Sequence, residues 1–239
     1  MTKNLLIINV LLWLATFATQ RFGIDLYKYL GLHFVTATDF NPVQFVTHIF
    51  MHATYDHYGN IVFFHIFFNM FALFMFGSVL EQVWGPKRYL IYYFVAGIGA
   101  GLIQEIAWYI DLRELLALPD NTMINVGNGM VVTKEVLLNK AITVGASGAV
   151  FGILLAFGML FPNTPLYIMF IPIPIKAKYA VIGYGVLELV LGAANFSWDN
   201  IAHFAHLGGM LFGFFLVWYW RRKDINNKNI NNDRYRFFR

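Results

Sequence analysis

Six runs of about twenty mainly apolar residues divide this chain, each long enough to carry a helix across the roughly 30 Å hydrocarbon layer of a bilayer. They lie near 4–20, 60–80, 89–109, 141–161, 178–196 and 201–221. Inside lipid, backbone N–H and C=O groups must be satisfied within the protein, which a helix does for itself. Charged residues make up only 13% of the 239, against roughly a quarter in a soluble domain, so most of these helices have no wet face. The expectation is an all-α membrane protein, a six-transmembrane-helix bundle. Residues 1–221 form one membrane domain, and 222–239, rich in Asn and charge, form a basic, disordered tail.

Turn signals separate the runs. Trp84-Gly85-Pro86, the stretch Phe161 to Pro165, and Asn195 to Asn200 interrupt the apolar sequence, while Pro172 and Pro174 favour an extended link before the fifth span. Lys3 ahead of the short first run also suits a signal peptide. A retained span is preferred, because it leaves the basic tail inside. With the N-terminus cytoplasmic, that side collects Lys3, Lys87, Arg88, Lys176, Lys178 and the basic residues from Arg221 onward. The far side collects only Arg21, Lys28, Arg113, Lys134 and Lys140. Such a bias fixes the orientation: multi-pass in the cell inner (plasma) membrane, both termini cytoplasmic. The net charge of +4 is therefore a topology signal rather than a nucleic-acid footprint, and no nucleic-acid partner is expected. No cysteine is present, which removes disulfides, thiolate catalysis and Cys-based metal sites.

Polar residues inside the runs carry the functional signal. On this topology the second, fourth and sixth helices all run inward. His65, Ser147 and His206 lie five or six residues into them, about 8–9 Å below the outer boundary at about 1.5 Å rise per residue. Asn69 stacks one turn below His65 on the same face. Polar groups in hydrocarbon should face one another or a watery cavity. The pairs Gly148/Gly152 and Gly209/Gly213 let the fourth and sixth helices approach closely, which a short serine side chain needs to reach a histidine.

An imidazole is a suitable base for a serine hydroxyl. Ser147 as nucleophile and His206 as base make a dyad, since no acidic residue neighbours His206 in sequence. Asn69, His65 and the Ser147 amide are the donors available to an oxyanion at that depth. Other readings compete. A serine among glycines also serves as helix-packing glue. His48/His52 and His203/His206 have metal-ligand spacing, but no carboxylate accompanies them in a motif, and no metal is expected. Glu105 and Glu188 lie within spans and suit a small transporter, although no repeat or broken-helix pair supports one.

The segments His65-Ile-Phe-Phe-Asn69-Met70, Gly145-Ala-Ser147-Gly148-Ala-Val-Phe-Gly152 and Ala205-His206-Leu-Gly-Gly209 together resemble the rhomboid intramembrane serine proteases. Leu80-Glu81-Gln-Val-Trp-Gly85-Pro-Lys-Arg88 and Gly97-Ile-Gly-Ala-Gly101 fit as well. The resemblance covers nearly all of 1–221 and is to the basic six-span bacterial form. It implies a bundle of rhomboid type, with Ser147 attacking the peptide, His206 as its base, and His65 and Asn69 beside the Ser147 amide in the oxyanion hole. Gly145, Gly148 and Gly209 then provide tight active-site backbone. The implied substrates are single-span membrane proteins, cut near the outer membrane face with small residues before the scissile bond. No cofactor is implied; the partners are transmembrane protein substrates and the lipid bilayer. A non-catalytic protein that binds client transmembrane helices is the alternative, and inactive relatives of that kind lack the Ser-His pair. His203 is assigned to the cavity rim, because Gly208-Gly209 follow His206 as the family pattern requires. Two features depart from it: an insertion at Asp56 to Asn60 spaces His52 thirteen positions from His65, and Val43 stands where relatives often carry Trp.

Overall fold

A computed structural model of the chain describes residues 1–56, 59–127, 129–167, 173–194 and 202–226. Among the described residues six long helices dominate: α1 (Thr2–Gln20), α2 (Phe63–Trp84), α3 (Pro86–Asp111), α4 (Ser147–Leu160), α5 (Ala177–Ala194) and α6 (His203–Asn226). Of these, α1, α2, α3 and α5 are long and apolar enough to cross a membrane. The chain is a mostly helical membrane protein rather than strictly all-α: three short antiparallel pairs join Leu32–His33 to Ile142–Thr143, Met123–Asn125 to Val131–Thr133, and Pro165–Tyr167 to Pro174–Lys176. The last pair contains the extended Pro174 link expected from the sequence. The turn at Asn195 to Asn200 lies outside the described residues.

The centre of the bundle is α6 against α3 and α4, and its contacts are made by small residues. A Cβ on Gly209 would fall on the Gly148 carbonyl oxygen, and one on Gly152 would lie 2.9 Å from the Gly209 carbonyl. These helices touch backbone to backbone, as the paired glycines predicted. Tyr92 of α3 is fully buried beside them and donates its hydroxyl to Gly152 O at 2.6 Å. Arg88 forms a two-pronged ion pair with Asp224 at 2.9 and 3.0 Å, tying the start of α3 to the end of α6. The apolar side chains of Phe64, Phe71 and Phe74 on α2 and of Ile182, Val186 and Val190 on α5 face outward. In a chain of this hydropathy those faces are where lipid sits.

Two boundaries differ from the sequence reading. The fourth helix starts at Ser147, not near 141, because Ile142–Thr143 is extended against Leu32–His33 and Gly145 has φ +137°. Ser147, His65 and His206 are therefore in the first turns of their helices, and the depth obtained by counting helical residues before them does not hold. At the other end, α6 runs through Asn226, past the boundary expected at 221; 227–239 lie outside the described residues.

The loops that carry Leu32–His33 and residues 112–141 pack on each other. Phe34, Ala37 and Leu138 form a small second core with Trp108, Leu115 and Leu116. Lys134 is buried there and donates to the carbonyls of Leu116 and Leu118 at 3.2 and 2.6 Å. The connection between α3 and α4 is thus a folded cap on the end of α3. Glu105 of α3 accepts the Val35 N–H at 3.0 Å, so its role in the fold is to anchor this cap.

Candidate active site

Ser147 is the first residue of α4, and its amide belongs to the first turn, whose N–H groups have no helical acceptor. The backbone reaches it through Gly145, whose φ of +137° is a conformation side chains rarely adopt. The Gly145 N–H donates to His48 O at 3.0 Å, which fixes the turn to the short helical stretch His48–Phe50. A Cβ at Gly145 would lie 3.0 Å from His65 Nε2 and 3.5 Å from Ser147 Oγ. Gly145→Ala is therefore expected to cut turnover about tenfold to a hundredfold, by strain and by displacing His65, with a smaller loss of stability. Parallel kinetics and thermal unfolding check this.

The pairing expected from the sequence is present. Ser147 Oγ lies 2.8 Å from His206 Nε2. The His206 ring is buried and stacks on Phe151 of α4, with centroids 4.2 Å apart and planes 8° from parallel. Close packing of Gly148 under Ala205 and Gly209 brings the two helix starts together.

His65, in the first turn of α2, is half-buried. The Ala53 N–H donates to its Nδ1 at 3.4 Å, so in neutral His65 the proton sits on Nε2, the atom beside Gly145. Asn69 is buried one turn on and donates one amide hydrogen to His65 O at 2.8 Å, leaving the second for another acceptor. His52 is fully buried with its ring 5.2 Å from that of His65. Burial, with a smaller contribution from His65, lowers its pKa to about 3, so it is neutral at pH 7. The insertion leaves His65 in place: Tyr55 pairs with Ile61, Val62 N–H donates to Thr54 O at 2.9 Å, and Asn60 donates twice to Asp56. These contacts close an excursion that returns the chain to the start of α2. His57 and Tyr58 lie outside the described residues.

A cavity of about 990 Å³ connects these groups, lined by His65, Asn69, Ser147, Phe151, Tyr184 and His206 among others. Its walls include α2 residues such as Phe68 and α5 residues such as Val181.

One component escaped the sequence reading. Glu188 of α5 is buried, and its Oε2 lies 2.8 Å from His206 Nδ1 and 2.6 Å from His203 Nδ1. An acid does accompany His206, though from another helix and eighteen positions upstream, so Ser147 and His206 are not an isolated pair. His203 lines the cavity as assigned, but it is buried and shares the carboxylate. The sequence signal for Glu188 was only that of an ionisable group in an apolar run. The three donor atoms lie within 4.8 Å of one another, the composition of a metal-binding cluster. Their contacts, however, have hydrogen-bond lengths; an ion bound at about 2.0–2.2 Å to each would require the two nitrogens and the oxygen to spread.

The Rhomboid domain model matches residues 39–223. The chain is 30% identical over 187 residues to Rhomboid-like protein 11, chloroplastic, of Arabidopsis thaliana, covering 73% of this chain and 51% of that protein. It is 30% identical over 157 residues to Rhomboid protein 1, mitochondrial, of Saccharomyces cerevisiae, covering 66% and 38%. With the human presenilin-associated rhomboid-like protein, mitochondrial, identity is 26% over 181 residues, covering 72% and 39%. The chain thus matches about half or less of the length of these relatives. With the family model spanning most of its residues, the chain belongs to the rhomboid family.

Proposed function

We propose that this chain is an intramembrane serine endopeptidase of the basic six-span bacterial form, held in the cell inner membrane with both termini cytoplasmic. Its substrates are single-span membrane proteins, cut near the outer membrane face. The observation that carries this reading is the 2.8 Å contact between Ser147 Oγ and His206 Nε2 at one wall of a large cavity.

The chemistry follows from the geometry. Ser147 O–H transfers its proton to His206 Nε2 as Oγ adds to the scissile carbonyl carbon. The oxyanion formed accepts from the Ser147 amide at the start of α4, where the helix dipole also favours negative charge, and from His65 Nε2–H and Asn69 Nδ2–H. His206 then protonates the leaving amine as the C–N bond breaks. Water, activated by the same nitrogen, releases the acyl group and restores Ser147.

The length of α4 supports a buried site. Its 14 residues span about 21 Å, roughly 9 Å less than the hydrocarbon layer. With Leu160 at the inner boundary, Ser147 lies that far below the outer one. The exposed faces of α2 and α5 that border the cavity offer a substrate helix a route from lipid. Cleavage of a single-span reporter in proteoliposomes tests the reading: the unmodified chain is expected to release both fragments and Ser147→Ala neither. Equal cleavage by the two would rule it out. No cleavage by the unmodified chain, with a cellular effect on client proteins that persists in Ser147→Ala, would favour the non-catalytic alternative.

A further inference from the structure

We infer that Glu188 is a positioning residue that sets the tautomer and orientation of His206, so that the reactive assembly is Glu188–His206–Ser147 with His203 as a second donor to the carboxylate. This rests on the serine-protease reading above and adds a member to it.

Ionised Glu188 only accepts hydrogen bonds, and its Oε2 faces two imidazole Nδ1 atoms at 2.8 and 2.6 Å. Both Nδ1 atoms must then carry hydrogen. For neutral His206 this leaves Nε2 as the lone-pair nitrogen, and Nε2 is the atom 2.8 Å from Ser147 Oγ. The opposite tautomer would put a hydrogen between Nε2 and Oγ and aim a lone pair at a carboxylate. Only the first tautomer accepts the serine proton.

The surroundings favour the same assignment. Stacking on Phe151 fixes the plane of the His206 ring but not which nitrogen bears hydrogen. Glu188 supplies that choice. Once His206 accepts the serine proton, the carboxylate stabilises the imidazolium across 2.8 Å between two buried side chains. His203, one turn before His206, donates the second hydrogen bond that a buried carboxylate needs. The titratable groups that line the cavity or cluster with His206 are Glu188 and Tyr184 from α5, Tyr167 in the link before it, His65 from α2, Asp111 at the end of α3 and His203 on α6.

Glu188→Gln keeps the side-chain shape and removes the charge. It is expected to lower kcat for reporter cleavage about 10²-fold, with KM nearly unchanged. Glu188→Asp is expected to restore part of the rate. The nitrogen NMR spectrum of histidine-labelled Glu188→Gln is expected to show that His206 no longer holds hydrogen on Nδ1 alone, a change that a residue serving packing alone would not cause. A Glu188→Gln enzyme with the original kcat and the original His206 tautomer overturns the inference. Should that variant not fold, the nitrogen NMR spectrum of the unmodified chain with labelled histidine decides: hydrogen on His206 Nδ1 supports the inference, and hydrogen on Nε2 overturns it. Cleavage surviving Ser147→Ala would instead remove the protease reading itself, so the two failures are distinguishable.

Discussion

His206→Ala is expected to abolish cleavage of a membrane reporter, lowering kcat by about 10⁴-fold or more, while His203→Ala retains activity within about tenfold of the unmodified chain. The two residues sit one turn apart on α6 and both touch Glu188, so sequence position and burial do not separate them. Their nitrogens do. His206 alone of the pair presents Nε2 to Ser147 Oγ, at 2.8 Å, whereas His203 directs its Nδ1 to the carboxylate. Losing His206 leaves the hydroxyl without a base. Losing His203 removes one of two donors to Glu188 and leaves the proton path intact. Single-turnover rates on purified variants in proteoliposomes give the comparison; equal losses would contradict the assignment of the base.

The second large effect concerns the scaffold. Gly209→Val is expected to destabilise the bundle by more than about 3 kcal/mol, because its Cβ would overlap the Gly148 carbonyl, and two rigid backbones have no flexible side chain to yield. Separation of α4 from α6 would also carry His206 away from Ser147, so activity should fall with stability. Gly183→Val is the matched control. Nothing lies within 4 Å of a Cβ there, and the same substitution should be tolerated. Thermal unfolding in one detergent compares them, and similar melting temperatures would mean that α4 and α6 are not in backbone contact.

How far the sequence reached can be judged from particular residues. Helix positions were legible because hydropathy over about twenty residues is a strong signal. The close approach of α4 and α6 was legible because small residues four apart have few other uses in lipid. The start of α4 was not. Ile142 and Thr143 are β-branched residues that suit either a buried helix or a strand, and the choice is made by pairing with Leu32–His33, more than a hundred positions away. Glu188 was visible as a charge in an apolar run, but its partners are on another helix, and no local spacing connects them. The same holds for the Ala53 amide that sets the His65 tautomer.

The position of Glu188 also changes how the alternatives are separated. A transporter would be disabled by Glu188→Gln, but so would a protease whose base leans on that carboxylate. Ser147 is the residue on which the two readings part.

The most direct measurement is therefore the site of a covalent adduct. A serine-reactive phosphonate, incubated with the purified chain in lipid and mapped by mass spectrometry, is expected to modify Ser147 and to stop reporter cleavage in proportion to labelling. The adduct should be absent from Ser147→Ala and should form far more slowly in His206→Ala. An adduct on another serine, or labelling that persists unchanged in Ser147→Ala, would contradict the claim that Ser147 is the nucleophile.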